Sequence, residues 1–155
     1  MSLFSGLLRS PSAPGILVDS DTLLPWHAFD ADIERSLRML RGVHIPVSMF
    51  AVGLGDVARG SAADAVGDAL GRYGPVGRLA DGRIGLLYLG PRSREQNGDA
   101  ILANQVQKSI ERRLHERGWS ALVQNLELAA AHGWTDEIFG SVELIRMLGP
   151  SRARV

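Results

Sequence analysis

Gly53-Leu54-Gly55-Asp56-Val57-Ala58 follows an apolar run and fits the dinucleotide-binding pattern G-x-G-x-x-G/A. In such a loop the glycines let backbone approach a pyrophosphate at a helix N-terminus. A nucleotide- or phosphate-binding loop over Gly53–Gly60 is therefore one reading of this segment, and a glycine-rich exit from a strand is the other. Two features oppose the dinucleotide fold. A hairpin follows where that fold requires a crossover helix, and the chain is short for a full nucleotide-binding sheet. The hairpin signal is Asp81-Gly82, set between Val76–Ala80 and Arg83–Leu89. Asp-Gly suits a type I′ turn, in which both central residues take positive φ. Arg78 and Arg83 flank it. The candidate ligand-binding residues are thus Gly53, Gly55, Arg78, Asp81, Gly82 and Arg83.

Other chemistry finds less support. His27, His44, His115 and His132 are scattered; none is spaced i, i+4 from another, and no carboxylate joins one at a metal-ligand spacing, so no metal site is expected. No cofactor is expected either. There is no Cys, which excludes disulfides, a thiol nucleophile and Cys-based metal centres. No G-x-S-x-G motif supports a hydrolase nucleophile. Asp64 and Asp68 share a helix face and read as solvated. Arg112, Arg113 and Arg117 form a basic helix end that favours the C-terminal dipole. Trp26, Trp119 and Trp134 sit at element boundaries, and burial is expected for at least two of them.

The 155 residues suit one domain with its own core. Lys+Arg and Asp+Glu number 17 each, and this zero net charge opposes nucleic-acid binding by the whole domain. It leaves solubility dependent on local charge mixing, so self-association is expected. No stretch is long and apolar enough to span a bilayer, and a signal peptide has little support, so the expected location is cytoplasmic. Residues 1–18 read as a flexible leader, 19–149 as the domain and 150–155 as a tail.

The elements that must position these residues follow from periodicity. Phe29, Ile33, Leu37 and Leu40 give one face of a helix over about 30–41, with Gly42 as its C-cap. Ile45–Val52 is nearly all apolar and reads as a central strand. Ser61–Leu70 is helix-like and stops at Gly74-Pro75. After the hairpin, Leu102, Val106, Ile110 and Leu114 mark a long helix over about 99–117. Ala121–Ala131 is a strand candidate. A last helix is expected from Thr135 to Leu148, with Thr135 as N-cap and Ile138, Val142, Ile145 and Met147 or Leu148 inward. The order is α, then β-α-β-β-α-β, then α. This predicts an α+β sandwich: a ferredoxin-like core with an extra helix before and after it, and a mixed, mainly antiparallel sheet with helices on one face.

This order, with local residues, resembles the GGDEF domains, the diguanylate cyclases of bacterial signalling with the nucleotidyl cyclase fold. Asp21-Thr22-Leu23-Leu24-Pro25-Trp26-His27-Ala28-Phe29 is similar to the family's opening D-x-L-T-G-L-P-N-R-x-x-F, one residue shorter. Gly77–Leu87 resembles A-R-L-G-G-D-E-F-A-L-L. Leu126–Gly133 resembles the S-I-G-V-A strand, and Asp136-Glu137-Ile138-Phe139 the D-E-L-L of the last helix. The likeness covers about residues 19–149.

The departures bear on activity. In the signature turn Ala80-Asp81-Gly82-Arg83-Ile84, the resemblance puts Arg83 at the catalytic-acid position and Gly82 at the preceding Asp position. The family's D-x-D-x-F segment, which supplies metal-binding carboxylates, falls on Gly53-Leu54-Gly55-Asp56-Val57, so both acids are Gly. The K-x-x-N-D and G-H segment is missing. The product-inhibition motif R-x-x-D falls on Gly71-Arg72-Tyr73-Gly74 and lacks both charges. The resemblance therefore implies a degenerate member that makes no cyclic di-GMP and does not bind it at the usual inhibitory site, a regulatory, dimerising or protein-interaction module.

Overall fold

The structure, a computed structural model, describes residues 23–55, 61–91 and 97–151. The elements are α1 (Trp26–Met39), β1 (Pro46–Gly53), α2 (Ser61–Gly71), β2 (Val76–Arg78), β3 (Ile84–Leu89), α3 (Gly98–Glu116), a 3-10 turn (Ser120–Asn125), β4 (Glu127–Trp134) and α4 (Ser141–Leu148). The leader 1–18 and residues 56–60 of the glycine-rich loop lie outside the described residues.

The four strands form one sheet in the order β2-β3-β1-β4, and every ladder is antiparallel. The one parallel contact among the described residues is the isolated bridge Leu24↔Gly77. With helices inserted after β1 and β3, this is the ferredoxin-like arrangement. The expectation of helices on one face needs correction: they cover both. Phe50, Val52, Ile84 and Leu86 pack against α2 and α3. Val47, Met49, Ala51 and Leu87 pack against α1 and α4. Successive strand residues point to opposite faces, so a strand covered on both sides must be nearly all apolar, as β1 is apart from Ser48.

The helices follow their apolar stripes. Phe29, Ile33 and Leu37 bury one side of α1, and Leu102, Val106, Ile110 and Leu114 one side of α3. Residue Leu40, not Gly42, caps α1. Helix α2 is buried almost all round, consistent with its run of Ala. Trp26, Trp119 and Trp134 are all half-buried, at the rims of the two cores.

Three expectations change. The strand over Ala121–Ala131 begins only at Glu127, because residues 120–125 turn first in a 3-10 helix that tucks Leu122 inward. The last helix begins at Ser141 and not at Thr135. Its phase is set by Ser141, Leu144 and Leu148, which leaves Val142 64% and Met147 45% exposed. Thr135 is not an N-cap. It is fully buried, and its Oγ1 donates to the Val43 carbonyl and accepts from Ile45 N–H at 3.1 Å. Thr135 N–H also donates to the Ile45 carbonyl at 2.9 Å. This clamp joins the start of β1 to the end of β4. Thr135→Val should cost about 1 kcal/mol, because the isosteric change leaves a part-buried N–H and a carbonyl unpaired; chemical denaturation measures it.

Candidate functional site

The hairpin between β2 and β3 positions the charged residues. Gly82 N–H donates to the Leu79 carbonyl at 3.0 Å, and Leu79 N–H to the Arg83 carbonyl at 2.8 Å. Those two bonds enclose a three-residue loop, Ala80-Asp81-Gly82, with Gly82 at φ 95°. This corrects the two-residue type I′ expectation: one left-handed residue, Gly82, closes a turn-plus-bulge hairpin. The extra residue re-aims the side chain of its successor. Arg83 turns inward toward the sheet and is only 7% exposed.

A buried guanidinium needs partners. Arg83 Nε donates to Asp81 Oδ2 at 3.0 Å, and Nη2 lies 2.9 Å from the same oxygen. Nη2 also donates to the Gly149 carbonyl at 2.7 Å, and Arg83 N–H donates to Asp81 Oδ1 at 3.1 Å. Asp81 thereby holds both the backbone and the side chain of Arg83. Gly149, just past α4, has φ 79° and presents its carbonyl to the hairpin. A cleft of about 340 Å³ opens here, lined by Ala51, Arg83, Glu127, Leu128, Leu148 and Pro150 among others.

Of the expected site residues, Gly53, Asp81, Gly82 and Arg83 come together. Gly53 ends β1, and a Cβ built on it would lie 3.8 Å from Arg83 Cγ. Gly55 follows at φ 78°. Arg78 reaches the same turn, where its Nη1 donates to the Gly82 carbonyl at 3.4 Å, but it lines a separate hollow with Leu23, Pro25 and Trp26 rather than the Arg83 cleft. The glycine-rich loop beyond Gly55 lies outside the described residues.

The divalent-cation site that the resemblance implies does not fit the residues described here. Mg²⁺ takes oxygen ligands, chiefly carboxylates. Gly53, Gly55 and Gly82 carry none and Asp81 is occupied by Arg83, which leaves Glu127, opposite Gly53 on β4, as a single carboxylate where the implied site needs several. A guanidinium beside the position would repel a cation.

The structure also gathers groups that spacing could not. Ser48 and His132 face each other across β1 and β4, and Ser48 Oγ is hydrogen-bonded to His132 Nδ1 at 2.8 Å. Asp99 Oδ1 stands 3.9 Å from the same Nδ1. A Ser-His-Asp triad needs serine and acid on opposite ring nitrogens. Here both approach Nδ1, and Ser48 is fully buried, so the cluster is a core polar pair. At the far end of β1, His44 meets Asp136 and Glu137. His44 and Asp136 lie 92 residues apart, so no local spacing announced the contact. Arg117 pairs with Asp68, and Arg113 with Glu116 at 3.5 Å, so part of the basic end of α3 is neutralised locally.

The fold is similar to that of a solved structure described as the crystal structure of a DGC (diguanylate cyclase) protein from Thermotoga maritima. The TM-score is 0.52 and the identity 16%, over 82% of this chain and 96% of that one. At this identity the likeness shows a GGDEF-like fold and nothing finer. No protein-family model matches the sequence, and no curated protein matches it. Among the described residues no helix is long and apolar enough to cross a membrane.

Proposed function

We propose that this chain is a catalytically silent GGDEF-like domain acting as a regulatory, dimerising or protein-interaction module. One observation carries the reading. Where the resemblance calls for metal-binding and catalytic acids, the chain has Gly53, Gly55 and Gly82, with a buried Arg83 held by Asp81 and the Gly149 carbonyl. Phosphoryl-transfer chemistry on a nucleoside triphosphate depends on cations that neutralise developing charge, and this donor set offers them no seat. An interaction role is supported by Phe139 and Val142, 79% and 64% exposed beside the start of α4. Apolar groups of this size in water are natural contacts for a partner.

The test is incubation with GTP and Mg²⁺ or Mn²⁺, followed by separation of nucleotides. No cyclic di-GMP above background is expected, and calorimetric titration with that product should show no binding. Turnover that scales with protein concentration would overturn the proposal. The alternative, a nucleotide- or phosphate-binding domain using Gly53–Gly60, rests on the cleft beside Gly53. A thermal shift with GTP or NAD would favour it, and the absence of any shift would count against it.

A further inference from the structure

We propose that His44, Asp136 and Glu137 form a site for a divalent transition-metal ion of the zinc, nickel or copper class. The site lies at the opposite end of β1 from the Arg83 cleft. Strand β1 runs Pro46–Gly53, which places the two about 25 Å apart at the rise of an extended chain.

The geometry is that of a chelate. His44 Nδ1 lies 2.8 Å from Asp136 Oδ1 and 3.0 Å from Oδ2. Donors on a metal with bonds of about 2.1 Å stand about 3.0 Å apart at right angles and about 3.4 Å apart in a tetrahedron, so a small shift of either side chain accommodates an ion. Glu137 supplies a third donor, and one atom from each of the three residues lies within 4.8 Å of the other two. All three side chains are exposed, so Glu137 is free of burial that would hold its carboxylate in place, and water can fill the remaining positions. Imidazole with carboxylates suits zinc, nickel and copper, whereas Mg²⁺ prefers oxygen alone.

The surroundings hold the ligands in register. The His44 ring stacks on Trp134 with centroids 4.0 Å apart and planes within 5°, which fixes the plane in which Nδ1 faces Asp136; metal binding would displace the proton that Nδ1 now donates to that carboxylate. Thr135, between Trp134 and Asp136, is bonded on both sides of His44, to the Val43 carbonyl and to Ile45 N–H. Both ligand-bearing segments are therefore tied to each other by buried backbone contacts before any ion arrives. Arg41, three residues before His44, has its Nη2 on the Phe139 carbonyl at 3.1 Å. A bound ion would act as an exposed staple between the chain leading into β1 and the turn leaving β4.

The test uses tag-free, full-length protein. Zn²⁺ calorimetry should show saturable binding of about one ion per chain, unaffected by excess Mg²⁺. Cu²⁺ or Ni²⁺ should quench tryptophan fluorescence, and Trp134→Phe should remove most of that quench. His44→Ala and Glu137→Gln should each weaken binding by more than about tenfold, while His115→Ala binds as wild type. Zn²⁺ should raise the thermal midpoint of wild type and leave that of His44→Ala unmoved. Asp136→Asn, which keeps the stacked ring, serves as a second variant and should also bind weakly. Non-saturable binding, or affinity unchanged in His44→Ala, would mean that His44 and Asp136 are an ordinary surface pair and would overturn the proposal. None of these outcomes touches the cyclase reading, which concerns the other end of the sheet.

Discussion

Phe29→Ala is expected to lower the unfolding free energy by about 3–5 kcal/mol. Phe29 is fully buried on α1, and its ring lies over the β2–β3 hairpin. The seat is made by Gly77 and Gly85, which pair directly across the two strands. A Cβ on Gly77 would come within 2.5 Å of Phe29 Cγ, and one on Gly85 within 2.8 Å of Phe29 Cε2. The ring therefore occupies the space that two side chains would fill. Gly77→Ala should cost about 1–3 kcal/mol by overpacking. In a Phe29→Gly background the same change should cost far less, because Phe29 Cβ and Cγ, each 2.5 Å from the new Cβ, are both gone. A double-mutant cycle in urea measures this coupling. A cost of Gly77→Ala that is equal in both backgrounds would refute the seat. Because α1 touches the hairpin through this ring, the pair also sets where Asp81 and Arg83 stand.

Arg83→Glu is expected to destabilise the domain by about 3–5 kcal/mol, the cost of leaving a buried charge without its partner. The new carboxylate would face Asp81 and the Gly149 carbonyl, which are acceptors already. Arg83→Met removes the bonds without adding a charge and should cost about 1–3 kcal/mol. Asp81→Asn should cost about 1–3 kcal/mol, since it keeps one acceptor but leaves the buried Arg83 guanidinium without its counter-charge. Hydrogen exchange gives a second readout. Amides around Leu148 and Gly149 should lose protection in Arg83→Met, because the guanidinium is what ties that carbonyl to the hairpin. Arg83→Glu also puts an acid at the position where the resemblance expects one. It should not confer cyclase activity, because Gly53, Gly55 and Gly82 still supply no metal ligand.

Much of the fold was legible because it rests on local pattern. The stripes of α1 and α3 and the apolar run of β1 report burial directly. The place of the hairpin was legible from Asp81-Gly82, but not its type, because a left-handed glycine fits both turns and only the bonds from Leu79 distinguish them. The start of β4 was misplaced because Leu122 is buried through a 3-10 turn, and burial alone does not separate that from a strand. Thr135-Asp136-Glu137 carries a good helix-start signal, yet Thr135 spends its hydroxyl on Val43 and Ile45, partners that exist only once β1 and β4 have paired. The candidate site divides in the same way. The missing acids could be read residue by residue, once the resemblance aligned them. The inward turn of Arg83, its bond to Gly149 and the meeting of His44 with Asp136 depend on contacts across the whole chain.

Strand β1 lies between β3 and β4, the two strands made last. Its pairing with β4 joins residues such as Ser48 and His132, 84 positions apart. Contacts this distant close late, since the entropy of a long loop must be overcome before they form. A chain emerging from synthesis would hold the most deeply buried strand of the sheet with one flank unpaired until β4 arrived. During that interval its edge could join a neighbouring chain as readily as its own. Folding yield, more than the stability of the finished domain, should therefore respond to substitutions in β4.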